Sequence, residues 1–409
     1  MATAMASSTQ QATDLSTAQD EAEYPLAAQI PLSSFTLPTF PEQASKLRSL
    51  TLTSDINLND YQTKHLAPGT FEPCTTLPKS LTHLTLELFS LGFPAPFLTE
   101  IGKSLPSLQS LTLFSCLVDG LEERSRRDAL TFFQNAAKTL KEIHIVDSFA
   151  RAGFWKEVGK TLSTTSDSGP AIVEVSYTYR GHYESDFLNR VSGEEWAEFI
   201  SPSVIGLSLN FTSPPPDLDT ELKMQTEKPE DAEFLQAQDG ILPFASDGRA
   251  SLAVRRKIEQ ISGHKKEGAG LNLKVLNLSM FSLRPVEVGE IAYAVAAGDG
   301  SGGLIGLTVS MLLEKDWFEI LLKGLSEKGA GSAIESLEIV GVPIESGDGA
   351  EDAEKLLMKS EEKIKAFNSE CSKLERLEMT VLQSRRIGKV IWTKESESWK
   401  MQRETSSES

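Results

Sequence analysis

A hydrophobic triplet of the form L-x-x-L-x-L recurs ten times along the chain, beginning at Leu47, Leu81, Leu108, Leu140, Ile172, Val204, Leu273, Leu304, Ile334 and Leu374. Successive starts lie 34, 27, 32, 32, 32, 69, 31, 30 and 40 residues apart, and the gap of 69 corresponds to one period plus an insertion. Recurrence at a period of 20 to 50 residues restricts a chain to a repeat array, because each copy buries its apolar face only against its neighbours. The clearest copies are LRSLTL, LTHLTL, LQSLTL, LKVLNL and IESLEI, whereas Ile172-Val175-Tyr177 is placed by its spacing alone.

Inside each triplet the fourth and sixth positions alternate with polar residues, the period of a strand buried on one face. The preceding segments carry helical spacing instead: Leu130, Phe133, Ala137 and Leu140; Phe154, Val158 and Leu162; Phe318, Leu322 and Leu325. Ser192 followed three residues later by Glu195 predicts a capping box opening a helix with Trp196 and Phe199. Glycine-rich stretches at 166–169, 267–270, 298–303 and 329–331 fall where helices hand over to strands, as helix C-caps do. A phosphate-cradling loop needs the reverse order, strand before helix, so GDGSGG reads as a turn and no cofactor is expected.

Helix-plus-strand repeats of this length resemble the leucine-rich repeat superfamily, in its ribonuclease-inhibitor-like, long-repeat branch, which includes the repeats of F-box proteins. The resemblance covers about Leu47 to Leu382. It implies an α/β leucine-rich repeat solenoid of about ten degenerate repeats, with a curved parallel sheet and helices on the convex side. The family places Asn or Cys three residues after the last leucine, and LQSLTLFSC reproduces this with Cys116. Asp55, Ser148 and Thr212 are small polar substitutes, whereas Phe89, Phe281, Leu312, Val342 and Leu382 depart from the pattern.

The predicted organisation is a disordered tail over 1–28, the solenoid over 29–388, a capping hairpin over 389–402 and a short tail over 403–409. Within the solenoid, residues 213–240 form an acidic insertion, opening on three prolines and carrying eight acidic residues against Lys223 and Lys228. In the hairpin, Val390 and Trp392 alternate, then Trp399 and Met401, around a turn at 395–398.

Forty basic against fifty-eight acidic residues give a net charge of −18, which repels phosphate backbones, so nucleic acid is excluded as a partner. Three cysteines, Cys74, Cys116 and Cys371, are too few and scattered for a disulfide framework or zinc site, which implies a reducing compartment. The N-terminus has neither a basic start nor an apolar run, so the expectation is a monomer of the cytoplasm or nucleus that enters no membrane.

The third, fifth and seventh motif positions point away from the core and line the concave face. Small hydroxyl residues dominate there, and larger ones gather as His83, Glu87, Phe114, Glu142 and His144, beside Thr85 and Thr112, with Arg376 and Glu378 near the other end. A metal shared by His83 and His144 fails on distance, since two strand separations put them about 10 Å apart. Glu142 and His144 lack a Ser or Cys nucleophile between them. The expectation is therefore no catalytic and no metal site, and an aromatic among His and Glu residues suits a protein contact.

The resulting expectation is a non-catalytic scaffold that binds a protein through the concave face or the acidic loop. The resemblance to F-box repeats implies a substrate-recognition component of a ubiquitin ligase, although PLAAQIPLSSFTLPTFPEQ reads as extended instead of as an F-box. The alternative is a regulator of small GTPases, since an acidic repeat protein of this length also resembles Ran GTPase-activating proteins; those end in a strongly acidic tail, whereas KESESWKMQRETSSES is of mixed sign.

Overall fold

The computed structural model describes residues 26–66, 77–164, 169–178, 193–212, 249–263, 271–298, 303–342, 361–381, 388–395 and 398–405. These fall in two compact units, Met1–Ala136 and Ala137–Ser409. Residues 1–25 of the tail expected over 1–28, the acidic insertion, Cys74 and most of the glycine-rich stretches lie outside the described residues, whereas Ala27 and Ala28 of that stretch open a strand.

The first unit runs β1 (Ala27–Leu32), β2 (Ser49–Ser54), α1 (Leu58–Leu66), β3 (His83–Glu87), α2 (Phe97–Ser104), β4 (Ser110–Phe114) and α3 (Glu123–Ala136). Its strands pair in parallel in chain order.

The second unit begins with β5 (Glu142–Val146), α4 (Phe154–Thr164), β6 (Ile172–Thr178), α5 (Gly193–Ala197), β7 (Gly206–Thr212) and α6 (Arg249–Gly263). It continues with β8 (Val275–Leu283), α7 (Pro285–Gly298), β9 (Gly306–Leu312), α8 (Trp317–Ser326), β10 (Ser336–Val342), α9 (Glu361–Glu370) and β11 (Arg376–Val381). From β5 to β11 the described ladders are again parallel and sequential. Then β12 (Gly388–Glu395) and β13 (Ser398–Thr405) close the order as an antiparallel hairpin against β11. Trp392 and Trp399 are each 5% exposed in it, which covers core that would otherwise end at β11. The chain is thus α/β with a mostly parallel sheet.

Hydrogen bonding at the strand starts repeats as regularly as the sequence does. Each time, two consecutive N–H groups donate to one carbonyl of the preceding repeat: Thr82 and His83 to Arg48, Ile205 and Gly206 to Ala171, Glu335 and Ser336 to Ile305. Leu47, Leu81, Leu108, Leu140, Val204, Leu273, Leu304, Ile334 and Leu374, the leading triplet residues, are all at most 1% exposed.

This marker moves the fifth triplet. Ala171 and Ile172 both donate to Lys141, and Glu142 pairs with Ile172, so the leading position is residue 170 and the triplet is Pro170-Val173-Val175. Ile172, expected in the core, is instead 42% exposed, while Val173 and Val175 are fully buried. Proline at the entry costs nothing in the ladder, because the first residue of a strand tolerates a missing N–H. An aliphatic leading residue is therefore absent from this copy. Strand β1 adds a further parallel strand: Ala27 pairs with Ser49, which sets Ala28 beside Leu50 and Ile30 beside Leu52.

After β3, β4 and β5 the next residue takes a left-handed conformation, with φ of 62° at Leu88, 51° at Ser115 and 46° at Asp147. That turn aims the following side chain inward. Cys116 Sγ donates to the Leu86 and Phe114 carbonyls at 3.3 Å, and Ser148 Oγ donates to the Val146 carbonyl at 3.0 Å. In place of such a polar group, Phe89 is fully buried, packed against Phe35, Phe93 and Phe97.

Two helix N-termini are satisfied by the helix that follows. Asp128 of α3 accepts from the Leu98 and Thr99 N–H groups at 2.9 and 3.1 Å. Glu195 of α5 accepts from Gly153 N–H at 2.7 Å and Lys156 N–H at 3.4 Å at the start of α4. The Glu195 carboxylate thus caps the preceding helix, and Ser192, its expected capping-box partner, lies outside the described residues. Burial pushes the Asp128 carboxyl above its ordinary value, against the hydrogen bonds that pull it down.

Asp128→Ala leaves two N–H groups without their acceptor and is expected to destabilise the first unit by about 1–3 kcal/mol. Amide exchange should rise first at Leu98 and Thr99. All five tryptophans lie in the second unit, so the accompanying unfolding is best followed by circular dichroism.

Candidate functional site

Strand alternation sends one set of side chains toward the helices and leaves the other on an outward face. In the first unit this face carries His83, Thr85 and Glu87 on β3 beside Thr112 and Phe114 on β4, with Thr85 paired to Thr112 and Glu87 to Phe114. His83 is exposed, its Nδ1 2.8 Å from Thr82 Oγ1, and Glu87 accepts a hydrogen bond from Thr53 Oγ1 at 2.8 Å. These groups form a polar row with one half-exposed aromatic, Phe114.

In the second unit the row through the middle of the strands reads His144, Glu174, Ser208, Asn277, Thr308, Glu338, Glu378. The row nearer the strand starts reads Glu142, Ile172, Gly206, Val275, Gly306, Ser336, Arg376. Beyond Asn277 the order breaks. Strand β8 stops pairing with β7 there and bulges between Leu278 and Ser282.

Glu142, His144 and Glu174 form a connected cluster. His144 Nδ1 lies 3.0 Å from Glu174 Oε2, and Nε2 lies 3.8 Å from Glu142 Oε2. The Glu174 hydrogen bond raises the His144 pKa above its ordinary 6.5, burial opposes it, and both carboxylates add to the rise. The same bond holds Glu174 below its ordinary 4.5, again against burial. Sequence reasoning placed Glu142 and His144 together but missed Glu174 as their partner. With the triplet begun at Ile172, the residue beside His144 would be Ser176; with Pro170 in the lead it is Glu174.

The pair has a definite pH window. A raised histidine contributes stability that is complete below its unfolded pKa and is lost as pH rises through the folded one. A depressed carboxylate contributes above its unfolded pKa and loses it as pH falls through the folded one. The contact is therefore strongest between the two ordinary values, in mildly acidic solution. Glu174→Gln is expected to move the His144 titration midpoint downward, measured by NMR on the imidazole Cε1 proton; an unmoved midpoint would contradict the bond.

At the far end, Arg376 Nη2 donates to Glu378 Oε2 at 2.6 Å, two residues along the same strand. Glu378 is almost buried, at 12% of its side-chain surface, and Arg376 is 51% exposed, so this pair offers a partner little more than the guanidinium's free edge. Sequence reasoning put His83, Phe114, His144 and Arg376 into one class, but the first two belong to the first unit and the others to the second.

Among the described residues no group of three or more His, Cys, Asp or Glu side chains is arranged to hold a metal, and no helix is long and apolar enough to cross a membrane. Cys116 and Cys371 are buried free thiols, and burial pushes Cys371 up to about 12, far from a thiolate at neutral pH. No protein-family model and no curated protein matches the chain.

Proposed function

We propose that this chain is a leucine-rich-repeat-type solenoid acting as a non-catalytic scaffold, which holds a protein partner on the outward face of its sheet. The observation that carries this is the register of β5 to β11, which aligns small hydroxyl and amide side chains in continuous rows with exposed aliphatic ones. Ile172 and Val275 are 42% and 49% exposed on that face. Aliphatic surface lined by small polar groups is what a protein contact desolvates at low cost. The rigid ladder keeps the rows in place, so little ordering entropy is lost on binding.

Affinity capture with the intact chain and with His83, Phe114, His144, Ile172 and Val275 replaced by alanine tests this. Partners lost from the variant place the contact on the face; partners retained by both place it on the helices or the insertion. The F-box-type version of the reading adds one requirement: the adaptor subunit of a ubiquitin ligase must be among the captured proteins.

A further inference from the structure

Among the described residues, nothing requires glycine at two positions of the outward face. Gly206 and Gly306 lie in one cross-strand row, Ile172, Gly206, Val275, Gly306, Ser336. Among the described residues, a Cβ at Gly206 would meet nothing within 4 Å, and one at Gly306 would make ordinary contacts of 3.7 and 3.8 Å with the Val275 methyl groups. Neither backbone is left-handed. Elsewhere the reason for glycine is plain: a Cβ at Gly193, Gly289 or Gly331 would fall within 2.4 to 2.7 Å of a neighbour. Each glycine opens its strand, Gly206 that of β7 and Gly306 that of β9; glycine loses more backbone freedom on folding than any other residue, and where no internal contact requires it, it leaves room for another molecule to come close.

The two glycines are notches on either side of the Val275 ridge, with Ile172 as the outer wall. They sit two strands apart, about 9.5 Å at the usual strand separation. A helix repeats one face every seven residues, about 10.5 Å, which matches within about 1 Å. An extended peptide repeats its face every ~7 Å and misses the second notch. A polyproline helix repeats every ~9.3 Å, but it docks on aromatic-lined grooves. The third, fifth and seventh positions of β6 to β9 hold no aromatic residue.

Charge fixes the ends. At those positions from β5 to β10 the face carries Glu142, Glu174 and Glu338 with His144 and no Lys or Arg; the next strand adds Arg376, whose guanidinium is tied to Glu378. We propose that the notches at Gly206 and Gly306 receive two apolar side chains, seven residues apart, from a short amphipathic helix of a partner protein, whose basic ends meet Glu142 and Glu174 on one side and Glu338 on the other. From β5 to β10 is five strand separations, about 24 Å, or roughly 16 helical residues. The inference rests on the protein-binding reading above and specifies what that face accepts.

The test is selection of binders from a displayed library of 16-residue peptides against the full chain, with the Gly206→Val/Gly306→Val double variant as the counter-target. Valine fits open space on a strand, so the variant should melt no lower than the parent chain. Selected peptides should carry apolar residues at i, i+3 or i+4 and i+7 with Lys or Arg at both ends, become helical on binding, and bind the variant at least about tenfold more weakly. Peptides that ignore the valines, or that show period-two or proline-rich patterns, overturn the helical occupant; if those peptides are lost on Glu174→Lys, the scaffold reading stands without it. A variant that melts several degrees lower overturns the premise by showing that the glycines serve internal packing. A selection that yields no binder overturns the inference and leaves the scaffold reading to the capture experiment.

Discussion

Replacing Trp196 with alanine is expected to destabilise the second unit by about 3–5 kcal/mol, the usual cost of emptying a buried aromatic site. Trp196 is fully buried, stacked on Trp155 with ring centroids 5.2 Å apart and flanked by Phe199 at 5.5 Å. It sits on α5, a helix of one turn that has little stability of its own and depends on tertiary packing. The next residue back, Glu195, caps α4, so loosening α5 also frees the Gly153 and Lys156 N–H groups. Urea unfolding followed by the fluorescence of the remaining tryptophans should show the loss as a lower midpoint. A change below about 1 kcal/mol would mean that the site collapses around the gap and that α5 is not a keystone.

The second large effect is expected from Gly289→Val. Helices α7 and α8 meet at Gly289 and Gly324, and a Cβ on either would lie 2.7 Å from the other's Cα. The obstacle is backbone, which cannot swing aside as a side chain can, so the helices must separate. Overpacking of this kind costs about 1–3 kcal/mol and sometimes more, and the upper end applies here. Phe318, Leu321 and Leu325 on α8 would lose packing together; all three are at most 2% exposed. Gly289→Ala should cost less than Val, and a graded loss of urea midpoint would check the mechanism.

The two glycine classes show what a sequence discloses and what it withholds. Strand positions were readable because a leucine every thirty residues, with period-two alternation after it, leaves one choice of buried face. Helices α4 and α8 were readable from Phe154, Val158 and Leu162 and from Phe318 and Leu325, although α8 buries Leu321 where Leu322 was expected and leaves Leu322 half-exposed. The fifth copy was misplaced by two residues because Pro170 stands where leucine was sought. A shift of two preserves the face, so Glu174 and Ser176 stayed outward, but it changes every cross-strand neighbour. That error concealed the His144–Glu174 contact and put Ile172 in the core.

Other features have no local signal. Nothing near Asp128 or Glu195 in sequence says that their carboxylates bind the preceding helix, since both contacts span about thirty to forty residues. Nor does the sequence distinguish Gly206, which faces open space, from Gly289, which touches another backbone. Only the cross-strand order separates a glycine kept for internal packing from one that leaves room for something else.

The central claim is that the outward face of the sheet is where a protein partner is held. Hydroxyl-radical footprinting of the full chain, alone and bound to a captured partner, tests it most directly. Ile172 and Val275 on the face, and Leu121 and Val286 away from it, are 42%, 49%, 64% and 50% exposed and serve as matched reporters. The account predicts that oxidation of Ile172 and Val275 falls several-fold in the complex while Leu121 and Val286 are unchanged. Protection of Leu121 or Val286 with Ile172 and Val275 still fully reactive would contradict it.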